Sequence, residues 1–411
     1  MHQPDRFSRR DFLLGSTALL AAAGCRPPAP PRTAPGTAPR FQPATERTFP
    51  LLEVSGPPYA IGRAVGERFA PQIRAALSPE IKSWRELRSF ANAQPALLEP
   101  FLAAARKHAP SVLEELRGWA EGSGVPLRDL LVLNHKGELG SLRDAHVRPG
   151  RTCAIERAAG CSTIVVRSGG RTIWAHNEDG EGAYAPHMFL LRVRPEGKPA
   201  FICCSYPCLL PGNAPWVNER GVIMTTNFIH TAEVRAAGVG RYLLDRLTME
   251  AASFDEAVRV ATHPERAYGF HHVIASAREG KICSVEATPS ALARKDLGDG
   301  IFLHTNHLIH EGVADATQDP EYVQRSSMTR WRVLAAWRRA ASAASATAAE
   351  VVRVLSSHEG KPYSPCRHPE GEIAGATLLT AVFELRAGEP AREMLVYRNQ
   401  PCGGRVERYA I

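Results

Sequence analysis

Residues 160–179 read as a β-hairpin that opens on a cysteine and closes on a carboxylate, and no other segment constrains this chain as tightly. The run Cys161-Ser162-Thr163-Ile164-Val165-Val166 is rich in β-branched residues, as is Thr172-Ile173-Trp174-Ala175-His176, and Gly169-Gly170 lies between them. A Gly-Gly pair supplies the positive φ angles that a tight hairpin turn demands. Positions equidistant from such a turn face each other across an antiparallel ladder, so Asn177-Glu178-Asp179 returns opposite Cys161, to within one residue of register.

The pair Gly160-Cys161 then acquires a chemical meaning. A thiolate is a strong nucleophile, and glycine on its acyl side carries no Cβ to obstruct attack on the carbonyl. Attack of the Cys161 sulfur on the Gly160 carbonyl carbon produces a thioester; water releases it and leaves a chain that begins at Cys161. The new α-amine has an ordinary pKa of about 7.7–8.0 and is suited to act as general base for its own thiol. Asp179 is the group expected to orient that amine. The competing reading of Gly-Cys at the head of a buried strand is a small core residue.

Further motifs follow in order: Asn218-Glu219-Arg220-Gly221-Val222 leading to Thr226-Asn227, then His304-Thr305-Asn306-His307, then Ser356-Ser357-His358 leading to Cys366-Arg367-His368. Upstream stand Tyr59-Ala60-Ile61-Gly62-Arg63-Ala64-Val65-Gly66 and Leu133-Asn134-His135-Lys136-Gly137-Glu138-Leu139. Over roughly residues 50 to 405 this series resembles the acyl-coenzyme A:6-aminopenicillanate (isopenicillin-N) acyltransferase-like cysteine peptidases. More distantly it resembles the choloylglycine and penicillin V hydrolases, all N-terminal nucleophile (Ntn) hydrolases. The resemblance implies an α+β fold of four αββα layers with two antiparallel sheets and a pro-segment ahead of the nucleophile. It places Cys161 on the nucleophile, Gly160 on the acyl side of the autocleavage bond and Asp179, eighteen residues on, on the family aspartate. Asn306 falls on the asparagine that supports the reacting centre, and Asn227 resembles the side-chain amide of an oxyanion hole. At His176 the chain departs from the bile-salt branch, which has arginine there.

His176, Asn177, His307 and Arg330 are further candidate substrate contacts. For the histidines, including His271 and His272, the alternative is a hydrogen-bonded structural role, since no His-Glu-x-x-His spacing accompanies them. For Arg330 the alternative is a solvated helix face. Cys203-Cys204 and Cys208 are close together but lack a downstream Cys/His pair at finger spacing, so no metal is expected there and no cofactor is required.

Residues 1–24 read as an export signal. Ser8-Arg9-Arg10-Asp11-Phe12-Leu13-Leu14 has the twin-arginine pattern, the apolar run to Ala23 is too short to span a bilayer, and Gly24-Cys25 resembles a lipoprotein cleavage site with Cys25 as the lipidated residue. Cleavage near the alanines, without lipid, is the alternative. Residues 25–46 form a proline-rich tether, 47–160 a helical pro-segment and 161–411 the catalytic region. Helical spacing covers Ile61 to Ile73, Pro79 to Phe90 and Leu97 to Trp119. The two chains are expected to stay associated after cleavage, in the cell envelope outside the cytoplasm, held to the membrane by lipid alone. The net charge of +8 is dispersed and has no interleaved aromatic cluster, which argues against a nucleic-acid partner.

The expected activity is hydrolysis of an amide in a small acylated amine, peptide or lactam-like substrate. Acyl transfer from a thioester donor is the first alternative; a binding lipoprotein without turnover and a zinc hydrolase using the histidines are the others.

Overall fold

The computed structural model describes residues 42–43, 49–147 and 160–411 apart from 315 and 372, all within the compact unit Ala38–Ile411. The signal, Cys25 and most of the tether lie outside the described residues.

The chain starts with β1 (Gln42–Pro43) and β2 (Leu51–Gly56), then runs through α1 (Pro58–Arg68), α2 (Ala70–Ala76), α3 (Lys82–Ala93), α4 (Glu99–His108), α5 (Pro110–Ser123), α6 (Leu127–Leu133) and α7 (Lys136–Val147). Two expected continuous helices are broken. Pro71 ends the run from Ile61 at Phe69, and Pro110 divides Leu97 to Trp119, because proline lacks an amide donor and clashes with the preceding turn. Gly124, with φ 71°, caps α5. Nor is this region helical throughout, since β2 adds to a sheet by parallel pairing with Phe189–Pro195.

α1 and α5 meet through glycine faces. A Cβ at Gly62 would lie 1.9 Å from the Glu115 carbonyl oxygen, and one at Gly118 would lie 2.1 Å from that of Tyr59. These backbones touch directly, so Gly118→Val is expected to cost at least about 1–3 kcal/mol of stability. Equilibrium urea unfolding checks this; an unchanged midpoint would show that the helices separate without penalty.

Beyond the hairpin formed by β3 (Gly160–Ser168) and β4 (Arg171–Glu181) come β5 (Phe189–Pro195), β6 (Phe201–Ser205), β7 (Trp216–Asn218) and β8 (Val222–Phe228). They are followed by α8 (Arg241–Thr248), α9 (Phe254–Ala261), β9 (Phe270–Ser276), β10 (Lys281–Ala287), β11 (Leu292–Asp296) and β12 (Gly300–His304). The chain closes with α10 (Pro320–Tyr322), a π-helical turn (Val323–Ser327), α11 (Met328–Ala340), α12 (Ala348–Leu355), β13 (Gly375–Arg386), β14 (Glu393–Arg398) and β15 (Arg405–Ala410).

The strands make two sheets, ordered β1-β15-β14-β13-β4-β3-β12 and β11-β10-β9-β8-β7-β6-β5-β2. Alternation decides what each face meets. Val165 and Trp174 join the large core shared with the second sheet and the N-terminal helices, whereas Ile164, Val166, Ile173 and Ala175 turn outward against Leu334 of α11 and Val351 and Leu355 of α12. Helices α1 and α9 contact the second sheet, and α11 and α12 the first. The result is the expected α+β sandwich of four αββα layers.

The N-terminal helices are joined to the rest by buried polar contacts as well as apolar ones. Arg246 of α8 and Glu115 of α5 form an ion pair at 2.8 Å, both almost wholly buried. Glu138 Oε1 accepts from the Arg241 amide at 2.8 Å, and Asn134 Oδ1 from the Leu210 amide at 2.8 Å.

Candidate active site

The β3–β4 turn has φ 56° at Gly169 and 79° at Gly170, as a type I′ hairpin requires, and this sets the register. Cys161 pairs with Glu178 and Gly160 with Asp179. The sequence expectation therefore holds, with Glu178 directly across from the nucleophile candidate. Opposite the end of β4, the register of β13 shifts between Thr377 and Leu379. This irregularity lies where the two carboxylates sit, and Thr377 Oγ1 donates to Asp179 Oδ1 at 2.7 Å.

The Cys161 side chain is 4% exposed and lines a cavity of about 50 Å³. Its walls come from both parts of the chain: Ser83, Trp84 and Leu87 of α3 and Lys136 of α7 on one side, Tyr184, Tyr206, Phe228 and Tyr242 on the other. Burial pushes the Cys161 thiol well above its ordinary range, and the charges of Glu178 and Asp179 push it further; the Asp179 backbone N–H, facing the sulfur, and Arg330 oppose them. These causes favour the protonated thiol.

Around it the polar groups are densely paired. The Cys161 amide donates to Asn306 Oδ1 at 2.8 Å, and Asn306 Nδ2 donates to the Phe228 carbonyl at 2.8 Å. Asn306, rather than Asp179, is therefore the group in contact with the nitrogen that would become the α-amine. Asp179 Oδ2 makes no hydrogen bond, and burial raises the Asp179 carboxyl pKa against the opposing pull of Arg367 and Arg330. Glu178 Oε1 accepts from Tyr206 Oη at 2.7 Å, and Glu178 Oε2 is 3.2 Å from His176 Nε2. Donor atoms of Cys161, His176 and Glu178 all lie within 4.8 Å of one another. That set could accept a soft metal only by sequestering the thiol.

Arg330 corrects both readings made of it from sequence. It is fully buried, not on a solvated helix face, and it points at the backbone of Cys161 rather than into the cavity. Its Nη1 donates to the Cys161 carbonyl and to Ser162 Oγ, and its Nη2 donates to Asn306 Oδ1 at 2.8 Å. A second buried guanidinium, Arg367, donates to Ser326 Oγ at 2.8 Å. A Cβ at Gly160 would lie 3.0 Å from Arg330 Nη2 and 3.2 Å from Arg367 Nη2, so glycine is what lets both cations approach this peptide.

Asn177 and His307 are corrected too. The Asn177 side chain projects to the outer face of β4, where Nδ2 donates to the carbonyls of Leu355 and Pro365 and Oδ1 accepts from Thr380. Alternation dictates this, since Asn177 is one residue from Glu178. His307 is held by Ser327 Oγ at 2.8 Å and packs against Trp331; burial brings its pKa down to about 4. Neither residue lines the cavity. His176 is wholly buried beneath it, with Nδ1 2.8 Å from Thr163 Oγ1.

Asn227 does not line the cavity, although Thr226 and Phe228 do. Its Oδ1 accepts from Thr163 Oγ1 and sits 2.9 Å from His271 Nδ1, which leaves the buried Nδ2 without a partner. His304 pairs with Glu286 at 2.8 Å, a structural hydrogen bond away from the cavity.

Sequence reasoning missed Glu178, Tyr206 and Arg367 as members of this site. Alternation from Cys161 through the turn was a sufficient signal for Glu178; for the others no local pattern exists.

The chain matches the family model described as acyl-coenzyme A:6-aminopenicillanic acid acyl-transferase over residues 166–391. That span contains Asp179, Asn227, Asn306, Arg330 and Arg367 and begins five residues after Cys161. Among solved structures, a penicillin V acylase from Agrobacterium tumefaciens is similar over 58% of this chain and 82% of its own, at 10% identity and a TM-score of 0.31. No curated protein matches the chain.

Proposed function

The chain belongs to the acyl-coenzyme A:6-aminopenicillanic acid acyl-transferase family, and from that premise we propose that it is a self-processing amidohydrolase with an N-terminal cysteine. The observation that carries this reading is the grip on Cys161, the second residue of β3: its nitrogen is held at 2.8 Å by Asn306 and its side chain lines a cavity.

In the precursor, the Cys161 sulfur attacks the Gly160 carbonyl carbon. The thiol proton passes to Glu178, a carboxylate with an oxygen within 4.8 Å of the sulfur, and then to the departing Cys161 nitrogen as the peptide bond breaks. Water hydrolyses the thioester between Gly160 and Cys161. The freed amine keeps its hydrogen bond to Asn306 Oδ1, and Asp179 Oδ2, which has no partner in the uncut chain, accepts a second one. During turnover the amine takes the thiol proton, the sulfur attacks the substrate's amide carbonyl carbon, and the amine returns the proton to the leaving nitrogen as the C–N bond breaks; water, deprotonated by the same amine, then attacks the acyl thioester, releasing the acid and returning the proton to the sulfur. The Asn227 Nδ2 group is buried and unpaired, between the cavity-lining residues Thr226 and Phe228; it serves as the side-chain donor for the oxyanion once Asn227 turns toward the cavity, which it does not line in the uncut chain.

The aromatic wall of Trp84, Tyr184, Tyr206 and Phe228 favours an apolar or aryl acyl group on a small amine, peptide or lactam-like substrate. Because α3 and α7 supply part of that wall, the pro-segment stays bound after cleavage, with the Glu115–Arg246 pair among its anchors. The twin-arginine pattern and Cys25 lie outside the described residues; they support an exported, lipid-anchored enzyme, and away from the cytoplasm water is a more available acceptor than a coenzyme A thioester is a donor. Acyl transfer is the second reading, favoured by the family description.

N-terminal sequencing of active enzyme is expected to find a chain beginning at Cys161, and aryl-acyl amides offered alone are expected to be hydrolysed. Full activity in a single uncut chain overturns self-processing. Turnover only with an acyl thioester and an amine acceptor replaces the hydrolase by the transferase.

A further inference from the structure

A second cluster of chemically competent side chains gathers away from the cavity, on the loop between α12 and β13 and the short turn Pro401–Gly403 that follows β14. We infer that His358, Cys366, His368 and Cys402 form a structural zinc(II) site.

The geometry supports this directly. One ligand atom from each of the four lies within 4.8 Å of all the others. His368 Nε2 is 3.2 Å from His358 Nε2, 3.6 Å from Cys366 Sγ and 3.4 Å from Cys402 Sγ. With Zn–N bonds of about 2.0–2.1 Å and Zn–S bonds of about 2.3 Å, the edges of a ligand tetrahedron come to about 3.3 Å between two nitrogens and about 3.6 Å between nitrogen and sulfur. All three distances fall within about 0.2 Å of those edges. The imidazole planes meet nearly at right angles, 81°, with both Nε2 atoms turned to the same point.

The donor set has the right chemistry and charge. Two thiolates and two neutral imidazoles neutralise a divalent ion and are the composition of closed, four-coordinate structural zinc sites. Cys366 is buried while His358 and Cys402 are exposed, so the cluster has a floor and an open side for the ion to enter. This set is distinct from Cys203, Cys204 and Cys208 and from the His304–His307 pair, none of which belongs to it.

The site also has a purpose in the fold. Arg367 lies between two of the ligands, and it is the guanidinium that reaches Ser326 and the Gly160 position. Among the described residues of 356–374 no helix or strand forms between α12 and β13; Arg367 is anchored at Thr377, its amide donating to Thr377 Oγ1 at 2.9 Å and its carbonyl accepting from the Thr377 amide at 3.0 Å, and the metal would secure the ligands on either side of that anchor. A metal that ties His358, Cys366 and His368 to Cys402 cross-links that loop and holds Arg367 at the nucleophile's back. The ion is a brace for the catalytic layer and takes no part in bond breaking.

Elemental analysis of the full chain, purified without chelators, is expected to give one zinc per chain for wild type and for Cys161→Ala. Cys402→Ser and His358→Gln, both at exposed positions, are expected to lose it. Cobalt(II) added to the metal-free wild type is expected to give the visible bands of a tetrahedral ion together with thiolate-to-cobalt charge transfer, and Cys402→Ser is expected to show neither at the same cobalt concentration. Three results overturn the proposal: wild type that neither retains zinc nor produces the cobalt spectrum; a Cys366–Cys402 disulfide found by peptide mass mapping; or zinc that survives Cys402→Ser and disappears with Cys161→Ala, which would place the ion on the nucleophile.

Discussion

Cys161→Ala is expected to be isolated as one uncut chain and to lose amide turnover by more than about a thousandfold, because a single atom serves both reactions. Gly160→Ala separates them. The added methyl meets Arg330 and Arg367 at 3.0 and 3.2 Å, and these guanidiniums are too tightly buried to yield freely. Processing should slow, yet molecules that do process have the wild-type catalytic region starting at Cys161 and should turn over normally. Intact-mass measurement over time, alongside activity per cleaved chain, reads both effects. Processing of the Cys161→Ala chain at the Gly160 bond would remove the sulfur from self-cleavage.

Asn306→Ala should lower kcat by about 100–1000-fold with KM little changed, since Asn306 holds the reacting nitrogen and does not line the cavity. Its partner Arg330 has a distinguishable effect through pH. Burial raises the Asp179 carboxyl pKa, and Arg367 and Arg330 pull it down. Removing one cation with Arg330→Met raises it further, so Asp179 takes up its proton at a higher pH than in wild type. If the mechanism needs an ionised Asp179, the acid limb of the kcat/KM profile moves to higher pH, while Arg330→Lys, which keeps the charge, moves it less. An acid limb that stays in place in Arg330→Met would remove Asp179 as the titrating group.

The legible part of the site is the part written in adjacent residues. A two-residue turn with fixed φ angles and a side-chain period of two bring Cys161 opposite Glu178–Asp179 without help from the rest of the molecule. The same alternation, followed one residue further, would have turned Asn177 away from the cavity. Arg330 was misread for a physical reason: an arginine on a helix is ordinarily solvated, and acceptors distant in sequence, the Cys161 carbonyl, Ser162 Oγ and the Asn306 side-chain oxygen, make its burial tolerable. β2 escaped notice because a short parallel edge strand needs a partner to exist, and its partner lies beyond the helices and the hairpin.

By itself, then, the sequence determined the candidate nucleophile, the glycine before it, the hairpin that returns Asp179 and the order of motifs that points to the family, because each is carried by short-range geometry or by residue identity. Only the tertiary structure decided which group holds the Cys161 nitrogen, across 145 residues, and which helices wall the cavity. It also decided that His358, Cys366, His368 and Cys402 share one point in space. Such contacts depend on how two sheets and two helical layers stack, and the burial that drives stacking carries no local signature of its partners.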